Sequence, residues 1–300
     1  MISRLVSKAI PAICLLWLAG CSQSGEMVVI EGPIMGTSYT VKAVGDGLGK
    51  GIDETLRQQV EAELQRLNDI FSTYEPDSEL SRLNRRQPGE AIALSPELKE
   101  VLALSLEIHQ LSGGAFDITV GPLVNLWGFG PGARRTEAPD ANDIAVALAT
   151  LGSEALELSA EPNHRQGSDP LAPSTTSAEP SATLVKRRAV QLDLSSVAKG
   201  YAVDKLASLL EARGASDYMI EIGGEVRARG RHPSGRLWMI GVEQPITDQR
   251  KIHRILPLLD TAMATSGDYR NYFKQNGAIY SHTLDPRTGR PITHSLASIT

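Results

Sequence analysis

The position of the cysteines constrains the fold more than any other feature. The 300-residue chain has 2 cysteines, Cys14 and Cys21, both near the N-terminus. Everything after Cys21 must therefore hold its core without a disulfide, and it offers no thiol nucleophile and no cysteine ligand for a metal. Apolar patterning has to do that work instead. The composition, 41% hydrophobic and 22% charged residues, is that of a globular chain long enough to bury a large core. Leu56, Val60, Leu64, Leu67 and Phe71 recur at helical spacing and predict a helix over about 53–71. Ser95-Pro96-Glu97 predicts a second helix start, with serine as cap and proline in the first turn, and Gly113-Gly114 its stop. Period-two alternation predicts strands at Thr37–Val44, 189–194, Asp217–Ile222, 237–243 and 278–282, with a last one at 296–300. A further helix is expected over 196–213, closed by Gly214. Helices and strands mix without strict alternation, so the expected fold class is α+β, in a single domain. Residues 159–184 are dominated by Ser, Pro, Ala and Thr. They read as a polar, disordered insertion into that domain, because periodic segments resume on both sides.

The N-terminus reads as a secretory signal. Arg4 and Lys8 precede an apolar stretch over 9–17, interrupted by Pro11, and Leu18-Ala19-Gly20 places small residues before Cys21. The stretch is too short to span a bilayer stably. Its ending resembles a lipobox, which implies cleavage after residue 20, acylation of Cys21 and a tether up to about residue 30. The expected location is periplasm-facing, lipid-anchored to the inner or outer membrane of a bacterium; Ser22 resembles the outer-membrane sorting pattern.

A net charge of −5 and 5% aromatic residues argue against a nucleic-acid surface. There is no Walker loop, no HExxH, no GxSxG elbow and no dinucleotide fingerprint. Four segments carry chemistry instead. Asp193-Leu-Ser-Ser-Val-Ala-Lys199 ends a predicted strand and opens a helix capped by Ser195 or Ser196, with Lys199 in its first turn. Free N–H groups and a lysine suit a phosphate, while Asp193 suits a metal or a ligand hydroxyl; an ordinary capped helix has the same pattern. His282, Asp285, Arg287 and Arg290 share a rigid loop with two prolines and a glycine, which could supply acid–base and phosphate-clamping groups. Thr265 to Tyr269 is a polar turn. The glycines and aromatics between Gly113 and Gly130 could line a slot for a flat ring or pack as a buried apolar loop. Together these segments point to a nucleotide-phosphate site that could also take a hard divalent metal.

The same segments, in this order, resemble the FAD:protein FMN transferase family of ApbE-like lipoproteins. The resemblance rests on Met35-Gly-Thr-Ser-Tyr39, Phe71-Ser-Thr-Tyr74, Ser78-Glu-Leu-Ser-Arg-Leu-Asn84, Gly114 to Trp127, Asp193 to Asp204, Glu221-Ile-Gly-Gly224, Thr265 to Tyr269 and Ser281 to Pro291. It covers the chain from about Met35 onward, apart from the polar insertion. It implies Mg2+-dependent transfer of the FMN part of FAD to a Ser or Thr hydroxyl of a target protein, with release of AMP. Targets would be flavoprotein subunits of redox-driven ion pumps, such as Na+-pumping NADH:quinone oxidoreductase or Rnf-type complexes. An FAD pyrophosphatase and a non-catalytic flavin-binding lipoprotein are the alternatives. Carried over by motif, Met35, Tyr74, Ala115, Phe116, Asp117, Asp193, Lys199 and Leu284 contact FAD, Lys199 through its backbone or stem because relatives vary there. Ser196 matches a metal-ligating position. His282 becomes the general base, with Asp285 supporting it. The family's other metal ligands, an Asp and a nearby Thr, fall just past the point matching Thr300, so the C-terminal end of the domain is expected to be missing from this sequence.

Overall fold

The computed structural model describes residues 26–45, 48, 54–160, 182–246 and 249–300. The expected signal segment, Cys21 and the first part of its tether lie outside them, as do residues 161–181 of the expected insertion. The chain opens with β1 (Val28–Ile34) and β2 (Thr37–Val44), paired across the two-residue turn Met35-Gly36. It continues through α1 (Glu54–Phe71), α2 (Glu79–Arg85), β3 (Ala91–Ala93), α3 (Pro96–Leu111), α4 (Gly121–Leu126) and α5 (Ala141–Leu148). Next come β4 (Leu156–Ala160), β5 (Ala182–Lys186), α6 (Ala198–Ala212), β6 (Asp217–Ile222) and β7 (Glu225–Arg229). A strand-rich last part holds β8 (Trp238–Glu243), β9 (Ile252–Leu258), β10 (Thr261–Met263), β11 (Ser266–Gly267), β12 (Tyr272–Gln275) and β13 (Ala278–Ser281). It ends with β14 (Leu284–Asp285), β15 (Arg290–Pro291) and β16 (Ser298–Ile299), the last pairing with β11.

The centre is an antiparallel sheet of order β1-β2-β6-β7-β10, and alternation along its strands gives it two apolar faces. Ile30, Val41, Ala43, Tyr218 and Ile220 face α1 and α6, whose Leu56, Val60, Leu64, Leu67, Val203, Leu206 and Leu210 are all buried against them. This is the main core, and it accounts for the helical periodicity of 53–71. Met219, Val226 and Ala228 point the other way, into a smaller cluster with Trp238 and Leu258 of the β8–β9 hairpin. The α+β expectation therefore holds. Among the described residues no helix is long and apolar enough to cross a membrane.

Local signals read from sequence decide several boundaries. Ser95 accepts from the Leu98 N–H and Pro96 opens α3, while Gly113 and Gly114 take φ +59° and +80° at its end. Replacing Ser95 with alanine is expected to destabilise the fold by about 1 kcal/mol, read as a shift of the urea midpoint.

Three expectations need correction. Residues 189–194 form no strand beyond a single bridge from Gln191 to Val120. Val190, Leu192 and Leu194 are buried in alternation as a strand's would be, but the backbone of Leu192 is bonded on both sides by the Asn84 side-chain amide, at 2.7 and 2.9 Å. The following helix starts at Ala198, not 196; its cap position is Val197, without a side-chain bond, because Ser195 is turned back onto Asp193. The insertion is also narrower than 159–184: residues 159–160 lie in β4 and 182–184 in β5, paired with each other.

Candidate functional site

Met35 and Lys199 meet at one end of the central sheet, where the β1–β2 turn, the β6–β7 turn and the start of α6 approach one another. The β1–β2 turn has positive φ at both Met35 (47°) and Gly36 (72°), the hairpin geometry that follows the strands' own twist. A methionine held there is strained, and its side chain packs against the main core. The β6–β7 turn lies beside it. Gly223, φ +54°, donates to the Ser38 carbonyl, and a Cβ there would fall 2.8 Å from Thr37 and 3.3 Å from Lys199. The close approach explains the glycine and brings the start of α6 to this corner.

Lys199 does not stand free for a phosphate. Its ammonium lies 2.8 Å from both carboxylate oxygens of Glu225, the first residue of β7. Sequence reasoning missed Glu225, whose only signal is its place directly after the Gly223-Gly224 turn. Glu221, one turn of backbone earlier, accepts from the Gly224 N–H, and burial, opposed by that bond, raises its carboxyl pKa.

His282 sits opposite. The Asn271 carbonyl accepts from both its backbone N–H and its Nδ1, at 3.0 and 3.2 Å. A carbonyl can only accept, so Nδ1 carries the hydrogen and Nε2 keeps a lone pair. The ring edge reaches solvent, yet protein packed around it lowers its pKa chiefly by desolvation; the Asn271 bond and Asp268 oppose this, and Lys199 adds to it. Phe129 meets the imidazole edge-to-face at 6.3 Å. Phe129, Phe273, Tyr280 and Trp127 continue as a column of stacked rings. The expected support from Asp285 is replaced by this arrangement. Asp285 is instead clamped by Arg287, with Nε and Nη2 each 2.9 Å from a carboxylate oxygen, which lowers its pKa. Asp285 shapes its own loop; the main-chain carbonyl of Asn271 orients His282.

The other wall is built around Asp193. Its backbone donates to the Ile118 carbonyl at 2.8 Å, laying the 115–118 segment alongside, and its carboxylate accepts from both the N–H and the hydroxyl of Ser195. Exposed Tyr74 donates from its hydroxyl to the carbonyl of Phe129, the residue beside His282. Local packing, then the Asp193 charge, raises the Tyr74 pKa. Asp117 is already committed: its Oδ1 accepts from the N–H and hydroxyl of Thr119 and from the Ser153 hydroxyl, at 2.6–2.8 Å. It fixes the loop that presents exposed Ala115 and half-buried Phe116. Leu284 packs with α4 and α5, in a cluster with Leu123 and Ala147.

Ser196 is exposed at the head of α6. Among the described residues no three His, Cys, Asp or Glu side chains come together as a metal site. One exposed hydroxyl, with a nearby carboxylate already bonded to Ser195, does not make a magnesium site by itself.

The profile of the ApbE family matches residues 35–300. A protein of Vibrio cholerae named FAD:protein FMN transferase is 41% identical over 286 residues, covering 95% of this chain and 79% of that one. Its namesake in Haemophilus influenzae is 39% identical over 300 residues, covering 99% and 82%. Among solved structures, flavin transferase ApbE from Vibrio cholerae superposes with a TM-score of 0.76 at 40% identity, covering 91% of this chain and 80% of that one. The apo flavinyl transferase ApbE of Pseudomonas stutzeri gives 0.74 at 39%, covering 91% and 78%. With the motifs of the site in place and the family profile spanning nearly all of it, the chain belongs to the ApbE family.

Proposed function

We propose that this chain is an FAD:protein FMN transferase whose general base is His282. The observation that carries the reading is the imidazole itself: Nδ1 held by the Asn271 carbonyl, Nε2 unprotonated, and a pKa lowered by its surroundings. In the proposed reaction Nε2 takes the proton of an acceptor Ser or Thr hydroxyl. The oxygen attacks the flavin-side phosphorus of FAD, the bond from that phosphorus to the bridging oxygen breaks, and AMP leaves. Phosphoryl transfer of this kind depends on positioning and charge neutralisation. Asp193, Tyr74 and Phe116 are proposed to bind FAD, and Lys199, steadied by Glu225, to add positive charge beside the imidazole. Magnesium dependence is part of the proposal on the family pattern at Ser196 alone. The proposed acceptors are flavoprotein subunits of redox-driven ion pumps, met by an enzyme anchored through Cys21 on the periplasmic side.

The test is intact-mass spectrometry of a Ser/Thr-containing acceptor domain incubated with the protein, FAD and magnesium. A gain of one FMN, abolished by EDTA and restored by magnesium, is the expected result. FAD cleaved to FMN and AMP with an unchanged acceptor would overturn transfer in favour of hydrolysis. Asp193→Ala is expected to weaken FAD binding by about tenfold, the loss of one charged hydrogen-bonding group. Fluorescence titration checks this, and unchanged affinity in a variant of normal melting temperature removes Asp193 from the site.

A further inference from the structure

The β8–β9 hairpin covers one sheet face with Trp238 and Leu258 and leaves its own outer face bare. Met239, Ile252 and Ile255 are 52, 57 and 53% exposed, and Leu259 just beyond is 43% exposed. Register places Met239 opposite Pro257 and Gly241 opposite Ile255 on that one face, and Ile252 lies over Gly241. Apolar side chains assembled like this on a two-stranded hairpin mark a contact surface. The same strand is basic. Lys251 and Arg254 are exposed, and Arg250 pairs with Glu243, which Arg270 also holds. Register sets Arg254 opposite Val242, on the face away from Ile255, and Lys251 precedes the strand, so these cations stand at the rim of the apolar face, a local reversal in a chain of net charge −5.

The N-terminus supplies the occupant. Met27, one residue before β1, packs into the cluster beneath this hairpin with Trp238 and Leu258. The chain thus enters the fold at the hairpin's base, six residues after Cys21, the residue whose surroundings resemble a lipobox. An acyl chain on Cys21 would hold this face, and no distant one, near the bilayer. We infer that the outer face of the β8–β9 hairpin docks on an anionic phospholipid surface, with Met239, Ile252, Ile255 and Leu259 entering the interface and Lys251 and Arg254 meeting headgroups from its rim. Partly inserted apolar side chains with flanking cations are the chemistry such a surface selects. The inference adds a second contact to the proposed anchor and fixes which way the domain faces.

The test places an environment-sensitive dye at position 255 of the full chain, as Ile255→Cys in a Cys14→Ser background for the acylated protein, whose Cys21 thiol the lipid blocks, and in a Cys14→Ser, Cys21→Ser background for the unacylated one. A control dye sits at exposed Leu111 (Leu111→Cys), at the end of α3. The mass of the purified protein reports whether Cys21 is acylated. Acylated chain is reconstituted in vesicles and unacylated chain is mixed with them, so the hairpin is read in either state. In vesicles containing phosphatidylglycerol and a lipid-borne quencher, the dye at 255 is expected to be quenched and blue-shifted, and the dye at 111 to stay unquenched. Pure phosphatidylcholine, or the pair Lys251→Glu and Arg254→Glu, should weaken the unacylated chain's binding by about tenfold or more, as expected for lost headgroup attraction. Equal responses at 255 and 111 would overturn the inference. So would a response at 255 that tracks protein concentration without vesicles, which would assign the face to a second copy of the chain.

Discussion

Replacing His282 with alanine is expected to slow FMN transfer by about 10²–10⁴-fold, the range for loss of a positioned general base, while leaving FAD binding largely intact. The two effects separate because the imidazole is held by main chain, the Asn271 carbonyl, and removing it leaves the Asp193 wall in place. The sign of the pH dependence follows from the cause of the pKa shift. Desolvation disfavours the imidazolium, so the folded-state pKa lies below the ordinary 6.5. The base therefore stays neutral as pH falls through that value, and the acidic limb of the transfer rate should have its midpoint below it. Single-turnover transfer followed by mass, with FAD affinity measured separately, checks both claims. Loss of FAD binding in His282→Ala, or a midpoint above the ordinary histidine value, would contradict a base in this setting.

The second large effect is on stability. Trp127 has no exposed surface, stacks on Tyr280 at 5.5 Å, and donates its indole N–H to the Gly289 carbonyl at 2.8 Å. It links the 121–130 segment to the 284–291 hairpin and to the strands leading into His282. Trp127→Ala should cost about 3–5 kcal/mol for a buried aromatic, a fall in melting temperature on the order of 10 °C for a domain of this size. Trp127→Phe keeps a ring in the column but leaves the Gly289 carbonyl without its donor, so it should cost about 1–3 kcal/mol. A melting temperature for Trp127→Ala close to that of the parent would mean that the column bears little of the fold's stability.

Elements whose causes are local could be read in the chain. The helical spacing from Leu56 to Phe71, the Ser95-Pro96 cap and the alternation of Thr37–Val44 each contain their own reason, and each element formed where expected. Partners far away in sequence could not be read this way. Residues 189–194 have a strand's alternation, but their edge is bonded by a side chain, that of Asn84, so no ladder forms. Ser195 is a different case: its N–H and hydroxyl turn back to the Asp193 carboxylate two residues earlier, a local alternative that competes with the cap. Lys199 looked like a free cation, because its partner Glu225 lies 26 residues on. Asn271 orients His282 through a backbone carbonyl, which every residue carries and no pattern announces. The motifs named most of the wall residues; the bonds that tie Asp117 to Thr119 and Ser153, and Asp285 to Arg287, came only from the packing.

The β4–β5 hairpin carries a practical consequence. Ala160 and Ala182 face each other in register, so the sequence spliced between them leaves and returns at neighbouring points. Closing such a loop costs only about 0.6 kcal/mol more for each doubling of its length. A guest domain whose own ends lie close together could be grafted at this tip in place of the native segment, giving a reporter-bearing enzyme with the sequence around Lys199 and His282 unchanged.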